Sequence, residues 1–175
     1  QLALQPLLVF LHATNTMIGY VQGAVFMGIV GVVISPWITK HFRVKKWYLF
    51  GVNIPYLTAL LLIGLTTLYH GSLGLSQPKL LNCVFLLTLT HWFFGGFCTL
   101  PCTEYIAACV PMSHRGRLTG YAYSVAGATA IATALAGKWV LDNVDKPAAF
   151  GYVLLMGWAI CQAGYGGVLF ARERP

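Results

Sequence analysis

Few side chains in this 175-residue sequence could do chemistry, and most of those that could lie within long apolar runs. Four of them are Gln22, Thr88, His91 and Ser124. His91 lies about 11 residues into its run, which is about 16 Å deep at 1.5 Å per helical residue and close to the middle of a bilayer. An ionisable group at that depth is costly and usually faces a cavity or a partner. Two roles stay open for His91, a substrate- or proton-handling group and a neutral histidine hydrogen-bonded within the packing.

The polar and small residues around His91 recur at three- and four-residue spacing, which places them on one helical face. They are Thr88, His91, Gly95, Cys98 and Cys102. The aromatic residues that follow His91 (Trp92, Phe93 and Phe94) are interpreted as packing and lipid contacts in preference to an aromatic binding cage.

Glu104 is the only acidic side chain within an apolar run. It falls on a different helical face from His91, so the two residues do not form a proton pair. A buried carboxylate usually needs a partner. The pattern favours an ion pair with a basic loop residue such as Arg117 or Lys40, and a proton-coupling role for Glu104 is the alternative.

The five cysteines all lie in apolar runs and show no paired metal-ligand spacing, which is typical of small buried apolar residues. The acidic residues and histidines form no nucleophile or metal constellation. The sequence therefore predicts no catalytic residues, no metal site and no cofactor, and an integral membrane enzyme is the least supported function.

The composition of this chain indicates whether water or lipid surrounds it. Only 9% of its residues are charged, 58% are hydrophobic and the mean hydropathy is +0.72, whereas a soluble domain averages about 25% charged residues. A chain of this length has no core large enough to hide so much apolar surface from water. We therefore expect an integral, multi-pass membrane protein with the lipid bilayer as its partner.

The positive charges mark one side of the membrane. The net charge is +7, and eight of the eleven Lys and Arg residues fall in three short clusters between or after apolar runs. This distribution follows the positive-inside rule and offers no continuous stripe for a phosphate backbone, so nucleic acid is not expected as a partner. The clusters are Lys40, Arg43, Lys45 and Lys46; Arg115 and Arg117; and Arg172 and Arg174.

The apolar runs predict an all-α membrane protein, a single bundle of six transmembrane helices over residues 1–175, the first of them incomplete. The first run is too short to cross about 30 Å of hydrocarbon. We expect it to be the outer half of a cut first span, so that the chain is a fragment; a re-entrant or interfacial segment is the alternative. The predicted spans are 1–14 (partial), 17–38, 47–69, 80–110, 118–141 and 148–171.

Small residues predict close helix packing, because lipid provides no hydrophobic force between helices and backbones must approach one another. Gly19 and Gly23 form a GxxxG pair in the second span, and Gly28 and Gly31 continue on an adjacent face. The fifth span carries an uninterrupted stripe at four-residue spacing, formed by Gly120, Ser124, Ala128, Ala132 and Ala136.

Six spans with a basic turn after the second and an Arg-Gly-Arg turn before the fifth resemble one half, the N-terminal one, of a major facilitator superfamily transporter. That family joins its second and third spans by a Gly-x-x-x-Asp-Arg-x-Gly-Arg-Arg type loop, which residues 36–46 match in part. Lys40 stands at the acidic position and Arg43 at the second glycine, while Lys45 and Lys46 keep the closing basic residues. The stretch from Pro111 to Gly120 resembles the family's loop between the fourth and fifth spans.

The resemblance implies a substrate site at the midplane between this half and a second six-span half. It implies that the first, second, fourth and fifth spans line the cavity, which makes Gln22, Thr88, His91 and Ser124 the substrate-cavity candidates. The candidates for the cytoplasmic gate are Lys40, Arg43, Lys45, Lys46, Glu104, Arg115 and Arg117.

The expected function is the transport of a small-molecule solute by alternating access across a bacterial-type inner membrane. The expected partners are the bilayer, the solute and the second six-span half, in the same chain or another copy. The alternative is a non-transporting membrane receptor or assembly subunit of the same fold, which the altered loop and the scarcity of intramembrane charge favour.

Overall fold

The computed structural model describes residues 4–170, with side chains up to residue 166, and this part of the chain is helical without a strand. Arg172, Arg174 and the last residue of the predicted sixth span lie outside the described residues. The helices are α1 (Leu4–Phe10), α2 (Asn15–Gly23), a short 3-10 helix (Ala24–Phe26), α3 (Met27–Thr39), α4 (Lys45–Leu68), α5 (Gln77–Cys109), α6 (Met112–Asn143) and α7 (Ala148–Phe170).

Within the described residues, five helical stretches are long and apolar enough to cross a membrane: α2 through α3, then α4, α5, α6 and α7. The prediction of an all-helical, multi-pass membrane protein is confirmed at this level. With seven residues, α1 spans only about 10 Å at 1.5 Å per residue. The six-span, transporter-like bundle therefore stays a prediction.

Two helices differ from the predicted spans in an informative way. The second span is interrupted by the 3-10 helix Ala24–Phe26, which separates α2 from α3. In α6 the helix begins at Met112 rather than at residue 118 and includes Arg115 and Arg117. Hydropathy marks where lipid begins, whereas a helix extends into water as far as its backbone stays helical; here the break is at Val110, which is extended before Pro111.

Helix α4 runs antiparallel to α5. Lys45, the first residue of α4, is ion-paired with Glu104 near the end of α5, and the Tyr48 hydroxyl donates to the Phe97 carbonyl at 3.3 Å. The turns before α4 and after α5 therefore lie at one end of the bundle, as the charge pattern predicts. We call this end, which holds Lys45 and Glu104, the inner end, and the opposite one the outer end.

A buried apolar cluster closes the outer end and holds α1 in place. Leu7 and Leu8 of α1 are fully buried, and the ring of Phe10 lies 5.8 Å from that of Phe150 in α7. The cluster draws on α1, α2, α4, α5 and α7, and consists of Leu7, Leu8, Leu11, Val21, Ile63, Leu80, Val84, Phe150 and Leu154.

Helices α3 and α5 touch backbone to backbone. A Cβ atom on Gly96 would overlap the Gly28 carbonyl, and one on Gly31 would stand 2.7 Å from the Phe97 nitrogen. The glycines that pack are thus Gly28 and Gly31, while an added Cβ on Gly19 or Gly23 would have no atom of the described residues within 4 Å. The GxxxG pair lies one or two turns away from the helix crossing.

A second glycine contact joins α4 to α7. A Cβ atom on Gly151 would stand 2.9 Å from the Leu68 nitrogen and 3.0 Å from the Gly64 carbonyl. Together with the antiparallel packing of α4 on α5, the two crossings link α3, α5, α4 and α7 into a continuous row of helices, in that order.

Helix α6 stands apart from this row. It meets α7 where Gly137 lies against Val153, and Gly137 is its only buried residue in the described chain. The small-residue stripe expected to pack closely is instead largely exposed, and an added Cβ on Gly120 meets no atom within 4 Å. Among the described residues, this stripe has no helix seated on it.

The Gly28–Gly96 crossing predicts a large cost for a single methyl group. We expect Gly96→Ala to lower the free energy of unfolding by about 1–3 kcal/mol or more, because this amount is the usual cost of overpacking. The matched control is Gly157→Ala in α7, where no atom lies within 4 Å of the added Cβ and the better helix propensity of alanine is retained.

Thermal unfolding in detergent, followed by circular dichroism, measures both variants. Equal melting temperatures for Gly96→Ala and Gly157→Ala would contradict the backbone contact between α3 and α5.

Candidate functional site

His91 ties α5 to α4 at the middle of the bundle. Its ring stacks on Tyr56, with centroids 4.2 Å apart and planes at 17°, and its Nδ1 lies 2.9 Å from the Tyr56 carbonyl oxygen. A carbonyl only accepts, so Nδ1 carries the proton and donates. The observed contacts of His91 are those of a packed, hydrogen-bonded histidine, which is one of the two roles that the sequence left open.

An aromatic group extends from this pair across three helices. Trp92 of α5 meets His91 edge to face at 5.6 Å and 75°, and Tyr165 of α7 meets Tyr56 in the same way at 6.3 Å and 71°. We call these four residues the aromatic group. Each ring contacts at least one other ring of the group, so the four rings hold one another in fixed positions.

A cavity of about 470 Å³ lies between α3 and α5, with Tyr56, Trp92 and Tyr165 of the aromatic group in its lining. We call it the α3–α5 cavity. It combines apolar surface with hydroxyl and thiol groups, and its volume is within the range of small-molecule sites. Its lining is Val25, Gly28, Ile29, Val32, Tyr56, Trp92, Gly95, Gly96, Cys98, Thr99, Cys102, Thr103 and Tyr165.

A second cavity of about 300 Å³ lies nearer the outer end, against α1 and α2. Gln22 and Gln5 are its polar lining residues, and Trp92 borders it as well as the α3–α5 cavity. Trp92 therefore stands between the two cavities, a position that the interpretation as a packing residue did not anticipate.

The structure places the four substrate-cavity candidates in different surroundings. Gln22 lines the outer cavity. Thr88 is buried and donates to the Val84 carbonyl of its own helix at 2.7 Å, and His91 lies behind Tyr56. Ser124 is exposed on α6 and donates to the Gly120 carbonyl at 3.0 Å. The described residues do not bring the four around one cavity, and their role in transport stays a prediction.

Sequence reasoning missed Tyr56 and Tyr165 as lining residues, because the rotation of α4 and α7 toward the cavity depends on helix packing that the sequence does not reveal. The signal that could have found the cavity was the shared face of α5. Three members of that face, Gly95, Cys98 and Cys102, do line it.

At the inner end, Glu104 is paired with Lys45 and not with the expected Arg117 or Lys40. The antiparallel pairing of α4 and α5 brings the first residue of α4 beside the last turns of α5, which sequence distance does not reveal. Both side chains are partly exposed, 31% for Lys45 and 43% for Glu104. Such a pair usually contributes only about 0–1 kcal/mol.

Arg115 completes the inner end by capping α5. Its Nη2 donates to the Ala107 carbonyl at 2.8 Å and its Nε to the Val110 carbonyl at 3.1 Å. These are carbonyls that the end of a helix leaves without an intrahelical donor. The Lys46 Nζ lies 5.6 Å from the Trp47 ring centroid, and the remaining gate candidates, Lys40, Arg43 and Arg117, are exposed.

Within the described residues, no group of three or more His, Cys, Asp or Glu side chains is arranged to hold a metal ion. Comparison of the chain with protein-family models, with curated proteins and with solved structures found no match.

The His91–Tyr56 contact predicts a graded response to substitution. His91→Phe keeps the stacked ring and removes one hydrogen bond, so we expect a loss of about 0.5–1.5 kcal/mol in unfolding free energy. His91→Ala also removes the ring, and we expect a larger loss, because a void remains between α4 and α5. Equal melting temperatures for the two variants would contradict a structural contribution from ring stacking.

The exposure of the Lys45–Glu104 pair predicts weak, salt-sensitive coupling. In a double-mutant cycle with Lys45→Met and Glu104→Gln, we expect a coupling of at most about 1 kcal/mol at low salt. It should shrink in 1 M salt, where the screening length is about 3 Å. A coupling that is larger and indifferent to salt would mean that the pair is shielded from water.

Proposed function

We propose that this chain is one half, the N-terminal one, of a secondary transporter that moves a small solute by alternating access across a bacterial-type inner membrane. The observation that carries the proposal is the α3–α5 cavity. It lies beside the middle of the membrane-spanning helices, and hydroxyl and thiol groups interrupt its apolar walls. A bundle with a purely structural role would be more stable without such a space, since helices in lipid gain stability by close packing.

The exposed face of α6 supports the presence of a second half. Its small residues allow another helix to approach closely, and that face includes Ser124. In this proposal the second six-span half, in the same chain or in another copy, packs against α6 and supplies the other wall of the substrate path.

The inner end has the features of a gate in this proposal. The Lys45–Glu104 pair joins α4 to α5 by a contact that water can reach and break. Arg115 holds the end of α5 from the first turns of α6. A movement of α4 or α6 relative to α5 within this half would have to rearrange these contacts, at the small cost that exposed ion pairs imply.

The alternative is a membrane receptor or assembly subunit that transports nothing. The same exposed α6 face favours it, because such a face suits any stable membrane partner, and the altered loop between α3 and α4 agrees with it. Uptake separates the two, since only a transporter moves solute.

Reconstituted proteoliposomes test the proposal, using the complete reading frame that contains this sequence. A defined mixture of neutral amino acids, sugars, nucleosides and small aromatic compounds is offered outside, and the lumen is analysed by mass spectrometry. We expect at least one compound to enter faster than into empty liposomes.

The double variant Gln22→Ala, His91→Ala, compared with wild type at equal amounts of folded protein, tests whether these two residues act in uptake, Gln22 from the lining of the second cavity and His91 by holding Tyr56 in place. We expect it to slow uptake about tenfold or more, the scale of one lost interaction of about 1.4 kcal/mol. Thr90→Ala is the matched control, because Thr90 is exposed and donates only to its own helix at Leu86. No uptake of any compound favours the receptor alternative, and equal rates in wild type and double variant overturn the assignment of Gln22 and His91.

A further inference from the structure

We propose that the α3–α5 cavity binds an uncharged solute with a flat aromatic ring and one N–H or O–H donor. That this compound is the transported substrate rests on the proposed function, whereas its binding to the cavity does not. Three properties of the lining residues lead to this class: their lack of charge, their rings and the way their hydroxyl groups are already bonded.

Charge is the first property. Among the described lining residues there is no carboxylate, ammonium, guanidinium or imidazole group. The nearest carboxylate in sequence, Glu104, is paired with Lys45 at the inner end. A charged solute would give up its hydration shell without meeting a counter-charge, at a cost of several kcal/mol. A neutral solute avoids this cost.

The rings are the second property. Tyr56 is fixed between its stack on His91 and its edge contact with Tyr165. It also lies close against the backbone, since a Cβ atom on Gly95 would stand 3.1 Å from its ring. Together with Trp92, these rings offer rigid faces and edges to a ligand. An aromatic ligand gains about 0.5–1.5 kcal/mol for each well-placed ring contact beyond the area it buries.

The hydroxyl groups are the third property. Thr99 donates its proton to the Gly95 carbonyl at 3.3 Å, and Thr103 donates to the Thr99 carbonyl at 3.2 Å. Both side chains are exposed beside the cavity, and with their protons committed their oxygens can only accept. A ligand that brings an N–H or O–H donor can therefore be held by these two threonine oxygens. The cavity volume of about 470 Å³ suits a compound of one or two rings.

Cysteine alkylation tests this inference on the protein in proteoliposomes. Cys102 lines the cavity and is partly exposed, whereas Cys109, on the same helix and also partly exposed, does not line it. N-ethylmaleimide labelling at each cysteine is followed by peptide mass spectrometry, in the presence of increasing indole. We expect saturable slowing at Cys102 relative to Cys109, reaching about threefold when indole is at about twice its dissociation constant.

Matched compounds test the class. We expect much weaker slowing with 1-methylindole, which has no donor, with indole-3-acetate, which is charged, and with cyclohexanol, which has no ring electrons. Equal slowing by cyclohexanol or 1-methylindole overturns the inference, because the space would then accept any apolar molecule, a lipid chain included. Equal slowing at Cys109 indicates partition into the membrane, and no slowing indicates no binding; either result overturns it too.

Variants locate the effect. Tyr165→Leu should abolish the slowing at Cys102, while Tyr152→Leu, an exposed tyrosine of the same helix, should leave it unchanged. If Tyr165→Leu does not fold, as judged by size-exclusion chromatography, Thr99→Val removes one acceptor and should weaken the slowing. Indole protection that persists in the folded variant overturns the inference.

The outcome is separable from that of the transport proposal. Uptake of a non-aromatic solute without indole protection would overturn this inference and leave transport standing. Indole protection without uptake of any compound would overturn the transport proposal and leave this inference standing.

Discussion

The close approach of the α3 and α5 backbones at Gly28 and Gly96 is the contact on which the rest of the bundle depends. In lipid, apolar side chains gain nothing by leaving one apolar environment for another, so helices associate through close packing and hydrogen bonds. Glycine allows the closest approach because it has no Cβ. The second contact, at Gly64 and Gly151, extends the same principle to α4 and α7, and the order of the row follows from these two crossings and the packing of α4 on α5.

The cavity is a consequence of that contact. Gly28 and Gly96 lie in its lining as well as at the helix crossing, so any change in the distance between α3 and α5 changes the shape of the site. The aromatic group provides the opposite wall from helices that the crossings hold in register. His91 contributes by fixing Tyr56, through a hydrogen bond to its carbonyl and a stacked ring, and not by facing the cavity itself.

Helix α6 shows that small residues alone do not produce a close helix contact. Its small residues are as regular as those of α3, yet they are largely exposed, because nothing in the described chain is placed to meet them. A pattern of small residues indicates that another helix can pack closely there, but it does not indicate which helix does so. This is why the stripe supports a second membrane partner in the proposed function. It is also why Gly28 and Gly31 pack against α5, while an added Cβ on Gly19 or Gly23 meets no described atom within 4 Å.

The amino-acid sequence by itself determined that this chain forms long apolar helices and that its basic turns lie at one end of the bundle. Long uncharged runs require helices in lipid, because only a helix satisfies its own backbone hydrogen bonds there, and the clustered Lys and Arg residues place both basic turns at one end. Local patterns of this kind depend on residues a few positions apart. Tertiary structure alone decided that Glu104 meets Lys45, that His91 supports Tyr56, and that Tyr56, Trp92 and Tyr165 surround one cavity. Each of these contacts joins residues that are distant in sequence, and the rotation and register of packed helices, set here by glycine crossings, determine which of them meet.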